Sequence, residues 1–379
     1  MYKFRIYPSR KQKVRIVNSL KICKIIYNEL LALSIDSYKF GQVSFTHQDY
    51  NLFLTDRFKI LHSQVKQDVG VRLHKAFENF FRRVKSKEKK KGFPRFKSRV
   101  NSITYPQSGF KFKSNKRLYA SKIGNIPIIL HRVPKGKIKT MTIKQNKVRQ
   151  WFAIFSCEIP ETKVKHPSAK TVGIDMGLEN FAILSDGISI HNPRHIVNAE
   201  HRIKKLQRRL SRKVKGSNHR RKARFRLAKQ HLKVSNTRTD WLHKLSRSLT
   251  IRYGIIAVEK LNIKGMVKNH HLAKSINDAS WSQFLKMIPY KAVTSGGIVK
   301  EVEAKGTTSI CFCGQKVDMP LSKRIFHCPS CGYAEHRDIK SSFSICDRAG
   351  LARISTPVDD CVRPSLKATV LEAGTTYGK

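Results

Sequence analysis

The chain has 379 residues, 40% of them hydrophobic, with 77 Lys and Arg against 25 Asp and Glu, a formal net charge of +52. The length exceeds one ordinary core, so two or three domains are expected, and the basic excess runs throughout rather than forming a tail on a neutral body. No apolar run approaches the roughly 20 residues of a membrane-spanning helix, so the surface calls for a polyanion, a long nucleic acid before an anionic membrane.

Met1 to Pro8 alternates polar and apolar residues and lacks a secretory h-region, which points to an intracellular protein. Its eight cysteines then read as metal ligands or reduced core thiols rather than disulfides. Tyr2 to Tyr7 has the alternation of a strand with one buried face, and Ser9 after Pro8 offers a helix N-cap. From Lys11 to about Phe81 the pattern is helical, with Leu20, Cys23, Tyr27, Leu30 and Leu31 on one stripe. Leu73, Ala76, Phe77, Phe80 and Phe81 form another, and Lys85 to Lys91 is a charged connector.

From about Phe93 to Ile159 the texture changes to short β-rich runs, among them 126–130, 138–143 and 151–159. They predict a small antiparallel barrel that the strand at Tyr2 could complete. Pro160 to Pro167 reads as a linker. Thr171 to Asp175 and Asn180 to Leu184 predict a strand pair, and Asp186-Gly187 turns into a third strand. A long helical stretch, a strand at 254–258, an amphipathic helix over 278–294 and a strand at 298–302 follow. A cysteine-rich insert and a last helix, which Gly350 can cap, close the pattern. The order suggests a mixed α/β sheet with carboxylates at its strand ends.

Those carboxylates are Asp175, Glu259 and Asp338. An acid at the tip of a buried strand is costly unless a cation meets it. Two divalent ions held by shared carboxylates would meet that cost and could cut a phosphodiester. Gly173 and Gly177 leave room around Asp175, and Asp338 opens a helix whose dipole favours an anion. Two of the acids have a plainer reading when taken alone, Glu259 as a solvated strand end and Asp338 as an N-cap, whereas Asp175 between its glycines already leans functional. In this order and on this basic chain, they read together as the ligands of Mg2+ or Mn2+. Asp278 reads as an N-cap of the helix that follows it and stays outside the site.

Cys311, Cys313, Cys328 and Cys331 fall in two pairs that could build a tetrahedral four-thiolate zinc site in a segment with almost no core. The first pair is Cys-x-Cys, one residue short of the usual knuckle, so a non-binding remnant is the competing reading. Cys23, Cys157 and Cys346 lie on apolar patterns, and Cys361 has no assigned place. Between His201 and Thr239 there is no acid until Asp240, and two basic helices joined at Gly216-Ser217-Asn218 are expected. Arg202, Lys205, Arg208, Arg209, Arg212, Arg220, Arg221 and Arg224 would track a phosphate backbone. Aromatics at Phe93, Phe96, Tyr105, Phe110 and Phe112 could stack on bases or fill the barrel core.

These residues resemble the TnpB (OrfB) family of transposon-associated RNA-guided endonucleases, related to the type V CRISPR effectors. The similarity runs through Tyr2 to Pro8, Ala76-Phe77 with Phe80 to Arg83, Gly92 to Ser98, Val172 to Gly177, Leu242 to Ser246, Val258 to Met266, Leu272 to Ile276 with Trp281, Tyr290 to Ala292, and Cys328 to Asp338. The resemblance implies a multidomain α/β protein: a wedge β-barrel (1–8 and 93–165), a helical recognition domain (9–92), and an RNase H-like, RuvC-type nuclease domain (168–379) with a zinc-ribbon insert (308–335). It implies that Asp175, Glu259 and Asp338 are the RuvC metal ligands. The implied activity is cleavage of double-stranded DNA matched to a guide RNA, beside a short recognised motif. It also implies a prokaryotic cytoplasm, at the nucleoid. Four features depart from the family. Cys311-Phe312-Cys313 is a residue short, His336 stands for an acid, Lys340 for an Asn, and Ser341-Ser342 for two alanines. The competing functions are a guide-loaded repressor that binds without cutting, a transposase acting directly on DNA ends, and a non-specific basic RNA binder.

Overall fold

The computed structural model describes residues 1–39, 45–88, 90–160, 165–320 and 323–351. Cys361, the end of the expected nuclease domain and half of the expected linker lie outside them. The chain divides into two compact units, Met1–Glu161 and Thr162–Lys379. Among the described residues no helix is long and apolar enough to cross a membrane.

In the first unit β1 (Tyr2–Ile6) leads directly into α1 (Arg10–Lys39). Ser9 caps that helix reciprocally: its amide donates to Gln12 Oε1 at 2.9 Å, and the Gln12 amide donates to Ser9 Oγ at 3.3 Å. Two shorter helices follow, α2 (His47–Leu54) and α3 (Ser63–Lys85). Lys66 of α3 closes the C-terminal end of α2, its ammonium donating to the carbonyls of Leu54 and Arg57 at 2.7 Å each. Six strands complete the unit: β2 (Ser102–Pro106), β3 (Phe110–Ser114), β4 (Arg117–Ala120), β5 (Gly124–Ile129), β6 (Lys137–Gln145) and β7 (Trp151–Glu158).

The strand order is β2-β6-β7-β1-β5-β4-β3. The first strand therefore does not close a barrel at an edge. It sits in the middle, paired antiparallel on both sides, and β2 and β3 remain at the two ends. The sheet still curls into a half-barrel, because the Phe112 ring of β3 reaches within 5.0 Å of the Phe155 ring of β7. Phe4, Ile143 and Phe155 share one core with Cys23, Ile26 and Leu30 of α1. Tyr105, Phe110 and Phe112 belong to that core or pack against it, so they are not free for bases, whereas Phe93 and Phe96 are exposed.

The second unit begins with an antiparallel meander, β8 (Thr171–Met176), β9 (Asn180–Leu184) and β10 (Ser189–His191). A helical hairpin, α4 (His195–Ser211) and α5 (Asn218–Arg252), leads to β11 (Ile255–Glu259). Then come α6 (Ile263–Met266), α7 (His270–Ala279), α8 (Trp281–Thr294) and β12 (Ile298–Val302). The expected helix over 278–294 is in fact two: Ser280 adopts φ 56° and ends α7 before Trp281 starts α8. A small hairpin, β13 (Ile325–His327) with β14 (Ala334–His336), precedes α9 (Arg337–Arg348). Gly350, at φ 62°, follows the last turn as expected.

The sheet runs β10-β9-β8-β11-β12, with β11 parallel to both neighbours. It is covered on both faces, which explains the unbroken apolar runs of its central strands. Val172, Ile174, Ile256 and Val258 face one core with Leu242 and Leu249 of α5 and Phe284 and Ile288 of α8. Ala257 and Val302 face a second, smaller core with Ile345 and Cys346 of α9. Side chains alternate along a strand, so Asp175 and Glu259 lie on the α9 side.

Candidate active site

Register brings the first two acids together. Val258 of β11 pairs with Ile174 of β8 in a parallel ladder, so the next residues along are Glu259 and Asp175. Neighbouring strands lie about 4.8 Å apart and in-register side chains share a face. Glu259 is buried and Asp175 is half-buried. Both stand at the C-terminal ends of their strands.

The third acid arrives because α9 can approach closely. A Cβ added at Gly173 would sit 2.2 Å from the Ser342 carbonyl oxygen and 3.0 Å from the Cys346 amide nitrogen. Opposite Gly173 on the next strand stands Ala257, also small. Ser341 and Ser342, fully buried, supply the small side of the helix. Gly173 contacts the middle of α9, and Asp175 lies two residues further along β8. Asp338 lies one helical turn before Ser342, in the first turn of α9. It acts on Asp175 electrostatically, as Glu259 does.

The electrostatics suit a site that would take a cation. Burial first, then Glu259 and Asp338, push the Asp175 carboxyl up to about 8. Burial also raises Glu259, against the polar Thr307 side chain beside it and the charge of Arg348. Asp338 is held by Arg337 Nε at 3.1 Å, with Arg324 Nη1 at 3.9 Å; Arg324 also pairs with Glu179 at 3.0 Å. Among the described residues, the carboxylate oxygens of the three acids do not all lie within 4.8 Å of one another. Three hard oxygen donors with uncompensated repulsion are a donor set suited to Mg2+ or Mn2+.

The four insert cysteines do converge. Their sulfurs all lie within 4.8 Å of one another, with Cys311–Cys331 and Cys313–Cys328 each at 3.6 Å. The short Cys311-x-Cys313 loop thus still delivers both thiols. Around them Val317 and Phe326 make a miniature core. Burial pushes the Cys328 thiol up, but backbone amides of Cys331 and Ser330 and the neighbouring thiols outweigh it and hold it near 6. Sulfur donors in this arrangement suit zinc.

Of the residues expected to bind nucleic acid, Arg202, Lys205, Arg208, Arg209, Arg212, Arg221 and Arg224 are exposed on α4 and α5 or the turn between them. Arg220 is not: its guanidinium donates to the carbonyls of Leu210 at 3.1 Å and Lys213 at 2.8 Å, closing the end of α4. Arg209, Lys213, Lys222 and Arg226 instead line a cleft of about 490 Å³ between the two helices. Asp278 is also reassigned. It lies inside α7 and caps a different helix, its two carboxylate oxygens accepting from the Ile196 amide of α4 at 2.9 and 3.0 Å. Cys23 and Cys346 are buried as expected, and Cys157 is partly so.

Sequence reasoning passed over Thr307, Arg324 and Lys340. The first two carried no signal beyond lying near the cysteines. Lys340 stood out only as a departure from the family pattern; its side chain is fully buried, and burial pushes its ammonium down to about 8.

A family model described as "Probable transposase", OrfB_IS605, matches residues 154–270. A model described as "Cas12f1-like, TNB domain" matches 281–345, and a "Helix-turn-helix domain" of the OrfB_IS605 group matches 1–42. Over 1–39 the structure forms one strand and one unbroken helix. A Streptomyces pristinaespiralis protein named "Putative RNA-guided DNA endonuclease" is 29% identical over 97% of this chain and 93% of its own length. The Escherichia coli K12 protein "Putative RNA-guided DNA endonuclease InsQ" is 28% identical over 91% and 90%. Among solved structures, a chain of a Cas12f1–sgRNA–target DNA complex superposes with a TM-score of 0.54 at 14% identity, over 88% of this chain and 82% of that one. The mini-RNA-guided endonuclease CRISPR-Cas-phi3 gives 0.54 at 10% identity over 92% of each. At those identities the likeness is one of fold.

Proposed function

We propose, from the premise that this chain is a TnpB-like relative of the type V effectors, that it is an RNA-guided DNA endonuclease cutting at a RuvC-like centre of Asp175, Glu259 and Asp338. One observation carries the reading. Register sets Glu259 beside Asp175, and the close packing of α9 on Gly173 brings Asp338 to the same face. The ions, when bound, supply the Lewis acidity and the activated water that phosphodiester hydrolysis needs.

The chain's own residues do the rest. Strand ends fix two carboxylates on a rigid sheet, so little reorganisation is needed when charge develops. Arg337 and Arg324 orient Asp338. The four thiols would hold a structural zinc, which would stiffen the insert next to α9. The basic hairpin and its cleft grip phosphates without reading bases, leaving sequence choice to a guide RNA paired with double-stranded DNA.

The test is cleavage of a plasmid library with a randomised flanking motif, using protein with its co-purified RNA and Mg2+. Cutting beside one motif, abolished by Asp175→Ala with binding retained, supports the reading. Cutting that survives Asp175→Ala removes the site assignment. Guide-directed binding by wild-type protein that never cuts would establish a repressor instead, and joined DNA ends would establish a transposase.

A further inference from the structure

Thr307 and Ile310 bound a short turn between β12 and the first thiol, Cys311. The ammonium of Lys340 donates to the Thr307 carbonyl at 2.9 Å and to the Ile310 carbonyl. It also faces the rings of Phe326 at 4.6 Å and Phe312 at 5.6 Å, and Phe312 lies between two of the thiols. These partners are carbonyls and ring faces rather than a carboxylate. The acidic group that acts on the ammonium is the Cys311 thiol; burying an ammonium is expensive, and an apolar side chain of the same length would avoid the expense.

The same two elements carry two of the acids. Thr307 stands beside the Glu259 carboxyl and works against its burial, its hydroxyl donates to the Ala304 carbonyl at 3.1 Å, and its own carbonyl takes the ammonium. Asp338 stands two residues before Lys340 on the first turn of α9. Residues 338, 342 and 345 follow the helical spacing that faces the sheet, whereas Lys340 faces the insert. We infer that Lys340 is a positioning residue: by pinning the 307–310 turn to α9 it fixes Glu259 and Asp338 relative to each other for divalent-ion binding. This rests on the proposed reading of the three acids. The thiol cluster anchors the far end of the same turn.

The experiment is a Mn2+ titration of the full-length protein, followed by the spin-resonance signal of the free ion. Lys340→Met keeps the apolar stem against the rings and removes the ammonium with both of its hydrogen bonds. With the circular-dichroism spectrum and the thiol-bound zinc unchanged, half-saturating Mn2+ is expected to rise about tenfold, the range seen when outer-shell partners of metal ligands are lost. Thr307→Val is expected to raise it too, and the double variant no further than the larger single effect, because both break one linkage. Lys340→Gln, which can still donate to one carbonyl, should fall between. Unchanged Mn2+ affinity in folded Lys340→Met, or strictly additive effects, overturns the inference. Should Lys340→Met fail to fold, Lys340→Gln, which keeps one of the two carbonyl contacts, decides by the same shift. Asp175→Ala separates the two levels: if it leaves Mn2+ binding intact, the reading of the acids falls and this inference with it.

Discussion

Gly173 lies so close to α9 that a methyl group on its Cα would stand 2.2 Å from the carbonyl oxygen of Ser342. The contact is backbone to backbone, so no side chain can rotate to relieve it. Gly173→Ala is therefore expected to destabilise the protein by about 1–3 kcal/mol or more, the usual cost of overpacking a tight core. It should also move Asp338 away from Asp175. Urea unfolding measures the first effect, and loss of Mn2+ affinity with the fold retained measures the second. A fully tolerated Ala would refute the close approach itself.

The raised Asp175 carboxyl predicts an unusual pH dependence. Folded, it holds its proton up to about 8; unfolded, it loses it near the ordinary carboxylate value. Below that ordinary value both states are protonated and nothing is lost. Between it and about 8 the folded state binds more protons, so stability falls as pH rises, by about 2–4 kcal/mol once partial solvation is allowed for. Asp175→Asn should remove this loss in metal-free protein, raising the melting temperature at pH 8 but not at pH 4. Added Mg2+ should stabilise the wild type and not the variant. A pH-independent difference between the two proteins would contradict this account.

The convergence of Cys311, Cys313, Cys328 and Cys331 predicts one zinc per chain. Cys328→Ser should abolish stoichiometric zinc in freshly purified protein. Because the insert's own core is small, the variant should also become protease-sensitive between residues 303 and 336. Retained zinc would mean that the thiols are not its ligands.

Asp278 is expected to matter for folding and not for chemistry. Asp278→Ala leaves the Ile196 amide without its acceptor and should cost about 1–3 kcal/mol. Mn2+ affinity should stay at the wild-type value. A selective loss of metal binding without loss of stability would return Asp278 to the site.

The basic hairpin divides into two kinds of arginine. Replacing exposed Arg209 or Arg212 with Gln should weaken nucleic-acid binding across all sequences and reduce the salt slope by about one per lost phosphate contact. Arg220→Gln should instead loosen the turn after α4, seen as faster amide exchange around Lys213. Equal effects of all three on the salt slope would count against the distinction.

Much of the second unit was legible in the sequence because local rules suffice for it. Apolar runs marked the strands, Asp186-Gly187 marked a turn, and the basic stretch marked a helical hairpin. The order of the three acids pointed to one centre. Pairing partners are another matter. The strand at Tyr2 reads the same whether it closes a barrel or lies in the middle of a half-barrel, since its alternation fixes which face is buried and not which strands flank it. Asp278 reads as the cap of the next helix because capping is a local pattern; only packing shows the amide of Ile196 to be nearer.

By itself the sequence determined the chemistry available: oxygen donors at strand ends, sulfur donors in an insert, and an excess of cations for a polyanion. Identity and spacing settle such matters, because they depend on side-chain type and on the short-range geometry of strands and turns. The tertiary structure alone decided that a glycine and two serines admit α9 to the sheet, that Arg220 is occupied, and that Lys340 is buried between the insert and the helix carrying Asp338. The first and last of those contacts join residues far apart in the chain, and the energies of all three depend on packing distance, which no local pattern encodes.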